Sequence, residues 1–158
     1  MGDLKPAAIL LRPRELTVLR RVLKAALPQE GCALVLGAAA GDPAAPDWEI
    51  RLIWPCLNVW DPAAERRRRF RLDPREQLLA QRWGRSRGVQ VLGSAHSPPC
   101  SPAVPSATDR DLALPPSLQI ILSPLQNWLP ACWWLERSTD STADGAAEAR
   151  PLQWRMVH

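Results

Sequence analysis

The order of apolar and polar residues predicts a helix and two strands in the first third of the chain. Apolar residues recur at helical spacing from Arg14 until Pro28 ends the pattern, which predicts an amphipathic helix. The unbroken apolar run at residues 32–37 is typical of a buried strand. The alternating residues 48–54 are typical of a strand with one buried face.

The middle of the chain contains clear signals for a second helix. Residues 69–72 have the composition of a short strand. Asp73 and Pro74 are typical of the cap and first position of a helix, and Gly88 is typical of its end. Residues 89–93 then predict a strand that leads the chain to His96.

The last third predicts a short helix and three strands. Ser106 and Asp109 have the spacing of a capping box, which predicts a helix that starts after Ser106. Strands are predicted at residues 118–122, 132–135 and 151–156, and a flexible polar loop at 138–149. This order of elements favours an α/β sandwich with a mostly antiparallel sheet flanked by helices.

Length and composition indicate one globular domain over residues 1–158. The chain is 46% apolar and 23% charged, and no apolar run approaches the length of a membrane span. The beginning of the sequence shows no basic stretch followed by a cleavage site, so no secretory signal is recognised. We therefore predict a soluble cytoplasmic protein that does not engage a membrane.

The charge pattern makes a nucleic-acid site less favoured, and cysteine spacing excludes a zinc ribbon. The net charge of +4 is concentrated in arginines at 66–69, 82, 85 and 87, with no aromatic ladder between them. This pattern favours a solvated face or an acidic protein partner over nucleic acid. The four cysteines, at 32, 56, 100 and 132, form no C-x-x-C pair, which excludes a zinc ribbon and is consistent with reduced thiols.

Three residues at the ends of predicted elements have the chemistry of a catalytic metal site. A catalytic zinc needs a few nitrogen, sulfur or oxygen ligands and a carboxylate that can take a proton from water. His96 follows a predicted strand, Asp109 lies in the first turn of a predicted helix, and Glu30 precedes a predicted strand. We predict that these three residues converge on one pocket.

The spacing of these residues resembles that of the JAMM (MPN+, Mov34/PAD-1) metallopeptidases. The family pattern is an early glutamate, then His-x-His-Pro, six residues, Ser, two residues and Asp. Glu30, His96, Pro99, Ser106 and Asp109 match it in register. Residues 55–97 also resemble the segment that precedes the site in small bacterial members. The resemblance implies a JAMM/MPN-like fold, which is similar to cytidine deaminase.

The resemblance assigns a role to each matched residue and leaves one role unfilled. It implies that His96 and Asp109 ligate zinc, that Glu30 is the general base, and that Ser106 stabilises the tetrahedral intermediate. Pro98 stands where the family has its second histidine ligand, and proline has no side-chain donor. The substitutes that the sequence offers are Cys100, four residues after His96, and the terminal His158.

Two functions follow from the resemblance. The first is a zinc-dependent peptidase or isopeptidase of JAMM type, whose substrate is a peptide or the C-terminal Gly-Gly tail of a ubiquitin-like sulfur-carrier protein. The second is a binding module of MPN type that lost the metal, with Pro98 as its direct support. A basic nucleic-acid-binding protein ranks last, since no motif supports it.

Overall fold

The structure is a computed structural model that describes residues 4–139 and 145–158. Within these residues lie seven strands: β1 (Ala8–Leu11), β2 (Gly31–Ala40), β3 (Asp47–Cys56), β4 (Gln90–Ser97), β5 (Ser117–Leu122), β6 (Pro130–Glu136) and β7 (Glu148–Met156). The same residues contain three α-helices: α1 (Pro13–Lys24), α2 (Pro74–Arg85) and α3 (Ala107–Leu112). Single 3-10 turns occur at Ala63–Glu65 and Pro124–Gln126.

The strands form one mixed sheet that closes on itself. Their order is β1, β3, β2, β4, β5, β6, β7. The pairs β2/β3, β2/β4, β5/β6 and β6/β7 are antiparallel, whereas β1/β3, β1/β7 and β4/β5 are parallel. The α/β class is therefore confirmed, but the predicted sandwich with a mostly antiparallel sheet is replaced by a closed mixed sheet.

Strand β1 closes the sheet and is absent from the elements that the sequence predicts. It has four residues, runs directly into α1, and lies parallel to both β3 and β7. Four residues are too few for a periodic pattern to stand out. Its pairing with β7 brings residues 8–11 next to residues 153–156, and a local sequence pattern does not indicate a contact between residues so far apart.

Each side of the sheet has its own apolar cluster. Ala33 and Val35 of β2 pack into the larger cluster, together with the buried leucines of α1. Leu34 and Leu36 pack into the smaller cluster, together with Ala80 of α2. Alternate residues of a strand point to opposite sides, so β2 is buried on both. We refer to these sides as the α1 face and the α2 face.

A bulge in β4 determines which face carries His96. The pairing of β4 with β2 shifts by one residue at Leu92. Val91 packs on the α2 face, whereas Ala95 packs on the α1 face, although they are an even number of residues apart. The shift therefore turns His96 to the α2 face, where it lies opposite Cys32 of β2.

Some predicted element bounds need correction. Residues 69–72 are not a strand, because only Leu72 forms an isolated bridge, with Asn58. Strand β4 continues to Ser97, so His96 lies inside the strand rather than after it, since β2 and β5 pair with it there. Helix α1 ends at Lys24, earlier than the prediction. The predicted loop at 138–149 includes residues 140–144, which lie outside the described residues, and β7 begins at Glu148.

Candidate active site

Glu30 is held at the point where the chain enters β2. Its backbone N–H donates to the carbonyl of Arg66 at 2.7 Å, and its own carbonyl accepts from Asn58 Nδ2 at 3.0 Å. The side chain is only 4% exposed. The irregular segment between β3 and α2 thus fixes the backbone from which this carboxylate projects.

The pairing of β2 with β4 brings His96 next to Glu30. Gly31 lies opposite Ser97, and the Gly31 N–H donates to Ser97 Oγ at 3.1 Å. His96 Nε2 lies 3.7 Å from Glu30 Oε1. A Cβ at position 31 would come within 2.7 Å of the carbonyl oxygen of Leu23, so glycine is needed where α1 packs against this end of β2.

Asp109 reaches the same point from the first turn of α3. The helix begins with the predicted capping box: Ser106 Oγ accepts from the Asp109 N–H at 3.0 Å, and Asp109 Oδ2 accepts from the Ser106 N–H at 2.8 Å. The same Oδ2 is 3.2 Å from His96 Nε2. The structure therefore brings Glu30, His96 and Asp109 together, with both carboxylates next to the same imidazole nitrogen, Nε2.

His96 is enclosed by the protein. Its side chain is 1% exposed, and its ring stacks on Phe70 with centroids 4.3 Å apart and planes 20° from parallel. Nε2 faces the carboxylates, whereas Nδ1 has no hydrogen-bond partner among the residues that the structure describes. A histidine that ligates a metal through one nitrogen usually donates from the other to a fixed acceptor.

The two carboxyl groups have pKa values shifted in opposite directions. Burial raises the pKa of Glu30 to about 7, with His96 opposing and the charge of Asp109 adding to the effect. Burial also disfavours the charged form of Asp109. Its hydrogen bond with His96, the charge of His96 and the hydrogen bonds from Ser106 outweigh burial and hold the pKa of Asp109 below its usual 3.8. At neutral pH the site combines an ionised carboxylate with a second one close to its pKa.

The remaining predicted site residues lie outside this group of three. Ser106 is exposed and serves as the cap of α3, and Cys100 is a free, exposed cysteine in the loop between β4 and α3. His158 is exposed and follows β7, which pairs with β1 and β6, whereas His96 is on β4 between β2 and β5. The structure does not bring Cys100 or His158 into a ligand group with His96 and Asp109.

The residues present do not fit a complete catalytic zinc site. Within residues 4–139 and 145–158, no group of three or more His, Cys, Asp or Glu side chains is arranged to hold a metal ion. His96 and Asp109 supply one nitrogen and one carboxylate, whereas catalytic zinc is usually held by three protein ligands. Pro98 provides no third donor, and Nδ1 of His96 lacks the usual acceptor. We therefore derive no chemical step that depends on the metal.

A cavity of about 690 Å³ opens beside Asp109. Asp109 and Phe70 line the side next to the site. The rest of the wall comes from strands β2, β4 and β5, from helices α2 and α3, and from the segments that precede α2 and follow α3. Leu112 and Leu114 are 59% and 87% exposed and belong to this lining, so its edge is apolar. Its volume is in the range of cavities that hold a small ligand or a short peptide.

Sequence reasoning missed the residues that support the site. Phe70 stacks on His96, Asn58 holds the backbone of Glu30, and Ser97 joins β4 to β2. Phe70 is the single phenylalanine of the chain, which is the one compositional signal that could have drawn notice. Asn58 and Ser97 act through contacts that are distant in the sequence, so no local signal marks them.

None of the helices in the described part of the chain combines the length and the apolar character that spanning a membrane requires.

Comparison with known proteins places the chain in a family. The family model for prokaryotic homologs of the JAB domain matches residues 13–136, so the chain belongs to this family. The resemblance to the JAMM/MPN family is thereby confirmed. A curated relative, the desampylase of Haloferax volcanii, is 38% identical over 94 residues, which cover 54% of this chain and 68% of that protein.

Solved structures share the fold. The solution structure of a Desulfitobacterium hafniense protein is 29% identical and superimposes with a TM-score of 0.73, covering 94% of this chain and 92% of that one. The solution structure of a Salinibacter ruber protein has a TM-score of 0.58 at 24% identity, covering 92% of this chain and 90% of that one. At 24% identity the second structure supports only a similar fold.

Proposed function

We propose that this chain is a JAMM-type isopeptidase that acts on the C-terminal tail of a ubiquitin-like protein. The observation that carries the proposal is the convergence of Glu30, His96 and Asp109 on one point, from which Asp109 reaches the wall of an open cavity. Membership of the JAB family and the similarity to a protein named desampylase support the same class of reaction. The choice of substrate within that class and the dependence of the activity on zinc are part of the proposal.

Glu30 is the residue that we propose moves the proton. A pKa of about 7 lets a carboxyl group accept a proton from water and later donate one to the leaving amine. Asp109, ionised and hydrogen-bonded to His96, keeps Nε2 of the imidazole directed at Glu30. Ser106 positions Asp109 through the capping box. We also propose that the Ser106 hydroxyl stabilises the tetrahedral intermediate formed at the substrate carbonyl.

Weak zinc binding is the expected consequence of the missing ligand. Loss of outer-shell partners alone costs about 10 to 100-fold in metal affinity, and Pro98 removes a direct ligand. We retain Cys100 as the proposed third donor, because a thiolate is a good zinc ligand and Cys100 is four residues after His96. To reach the metal, Cys100 requires a rearrangement of the loop between β4 and α3.

A second candidate is a binding module that holds the same tail without cutting it. Pro98 favours it, together with the absence of a three-residue metal-binding group in the part of the chain that the structure describes. The cavity and its apolar edge would then serve recognition alone.

Zinc content and cleavage, measured on the wild type and Pro98→His, decide between the candidates. The substrate is a ubiquitin-like protein whose C-terminal Gly-Gly is linked to a fluorophore. We expect Pro98→His, purified without chelator, to hold about one zinc per chain and to release the fluorophore faster than the wild type. Adding Asp109→Ala to Pro98→His should remove both properties. Loss of residual zinc from the wild type in Cys100→Ser would identify the third donor.

The other outcomes are equally informative. Equal, tight zinc in both forms would show that Pro98 does not limit metal binding. A wild type that binds the tail but fails to cleave with zinc added would favour the binding module. Failure of both forms to bind or cleave would refute both candidates.

Three further expectations remain part of this proposal. We propose that residues 1–158 act as one domain, that the protein works in the cytoplasm, and that nucleic acid and membranes are not its partners. The four free cysteines support a reducing location. The exposed arginines support an acidic protein partner, since they would speed its association.

A further inference from the structure

Gln119 of β5 is a buried amide whose oxygen has no hydrogen-bond partner in the described part of the chain. It is 6% exposed and lines the cavity beside the candidate site. Its Oε1 has no hydrogen-bond partner among the described residues. A buried polar atom without a partner costs stability, so a group that pairs with it in the bound state would recover that loss.

The strand register gives the position of Gln119 relative to the site. In the parallel pair β4/β5, Gln119 lies opposite Ser94, and Ile121 lies opposite His96. Gln119 is therefore on the α2 face, one strand and two residues away from His96. With strands about 4.8 Å apart and residues about 3.3 Å apart along a strand, the two Cα atoms are separated by about 8 Å.

This separation corresponds to a short length of extended chain. An extended peptide advances about 3.3 Å per residue, so about 8 Å spans two to three residues. The cavity reaches from Asp109 at the site to Gln119 in its wall, and its volume suits a peptide segment. A chain that runs along this cavity with its cleaved bond at Asp109, which contacts His96, would pass Gln119 two to three residues away.

A carboxamide is well suited to pair with a peptide group. It has one carbonyl acceptor and an NH₂ donor, as a peptide group has one carbonyl and one N–H. It carries no charge, so it selects neither an acidic nor a basic side chain. The carboxamide can therefore pair with a backbone peptide group of a bound chain whatever the charge of its side chains.

We propose that Gln119 is a substrate-binding residue, whose carboxamide hydrogen-bonds a backbone peptide group of the substrate tail two or three residues from the cleaved bond. This inference rests on the proposed function, because it takes an extended tail as the ligand. It extends that function by assigning to β5 a contact that requires a free N–H at one position of the tail.

The test measures peptide binding and not catalysis, so it does not depend on the metal. The probe is a fluorescein-labelled eight-residue peptide that ends in Gly-Gly, together with versions that each carry one N-methylated amide. Binding to the full chain is followed by fluorescence anisotropy for the wild type, Gln119→Leu and Gln119→Met. Gln77→Met is the matched control, since Gln77 lines the same cavity from α2 but is exposed.

We expect Gln119→Leu and Gln119→Met to bind the unmodified peptide about tenfold more weakly than the wild type. Both should also resist urea better, because an unpaired buried amide is gone. N-methylation at a single position, two or three residues from the C-terminus, should weaken binding to the wild type about tenfold and leave both variants unaffected. Gln77→Met should bind as the wild type does.

The results that overturn the inference are distinct from those that overturn the proposed function. Wild-type affinity in both Gln119 variants, or an equal cost of N-methylation in wild type and variants, would refute the role of Gln119 and leave tail recognition intact. Variants that lose both stability and binding would show a structural role only. A wild type that does not bind the peptide would refute the inference together with the proposed function.

Discussion

The substitution Glu30→Gln tests the buried carboxylate, because it keeps the shape of the side chain and removes its charge. The pKa of Glu30 is about 7 in the folded chain because the side chain is desolvated, against an ordinary 4.5. Its proton is thus bound more tightly in the folded state. The stability that it contributes is complete below pH 4.5 and is lost as the pH rises through 7. At about 1.36 kcal/mol per pH unit, the interval from 4.5 to 7 corresponds to about 3 kcal/mol.

Urea unfolding with a chelator present measures this contribution. Between about pH 4 and about pH 8 the free energy of unfolding of the wild type should fall by about 3 kcal/mol relative to Glu30→Gln. The pKa of Asp109 is lowered, so its contribution is present above its unfolded value of 3.8 and is lost below that pH. The two windows therefore do not overlap.

Glu148→Gln controls for the loss of one negative charge, since Glu148 of β7 is 43% exposed and distant from the site in the sheet order. The reasoning would be refuted if wild type and Glu30→Gln differed in free energy of unfolding by the same amount from about pH 4 to about pH 8. That result would mean that the Glu30 carboxyl binds its proton equally tightly in the folded and the unfolded chain.

Two further substitutions test, by urea unfolding, the contacts that hold the site in place. Ser106→Ala removes the cap of α3 and should lower the free energy of unfolding by about 1 kcal/mol. Ser106→Thr keeps a hydroxyl and should retain most of the stability that the cap contributes, so an equal loss in both variants would contradict the capping role. Gly93→Ala would place a Cβ 2.2 Å from the carbonyl oxygen of Leu118, so β4 and β5 must move apart, at a cost of about 1–3 kcal/mol or more. The neighbouring Ser94→Ala is its control, and a Gly93→Ala variant as stable as that control would refute the close approach of the two strands.

The elements that the sequence predicts well are those whose signals are local. Asp73 caps α2 by accepting from the Arg75 N–H, and Ser106 caps α3 together with Asp109. In each case the hydrogen-bonding partners are two or three residues apart, so spacing alone is sufficient to predict them. The buried strand around residues 32–37 is recognisable for the same reason, because burial on both faces produces an unbroken apolar run.

Tertiary structure decides which face and which neighbours each residue has. The bulge at Leu92 places His96 on the α2 face, whereas regular alternation from Val91 would point it to the other side. The irregular segment that holds Glu30 shows no periodic pattern, although its Asn58 supports the backbone of that residue.

The sequence by itself determined the family pattern, the helix caps and the set of Glu30, His96 and Asp109, since these depend on spacing and residue type. The closed sheet and the unpaired Gln119 depend on contacts between strands far apart in the chain. Strand β1, for example, acquires its place only when β3 and β7 are on either side of it. Such pairings arise from the packing of the whole molecule, because the backbone N–H and C=O groups are the same in every strand and do not by themselves select a partner strand.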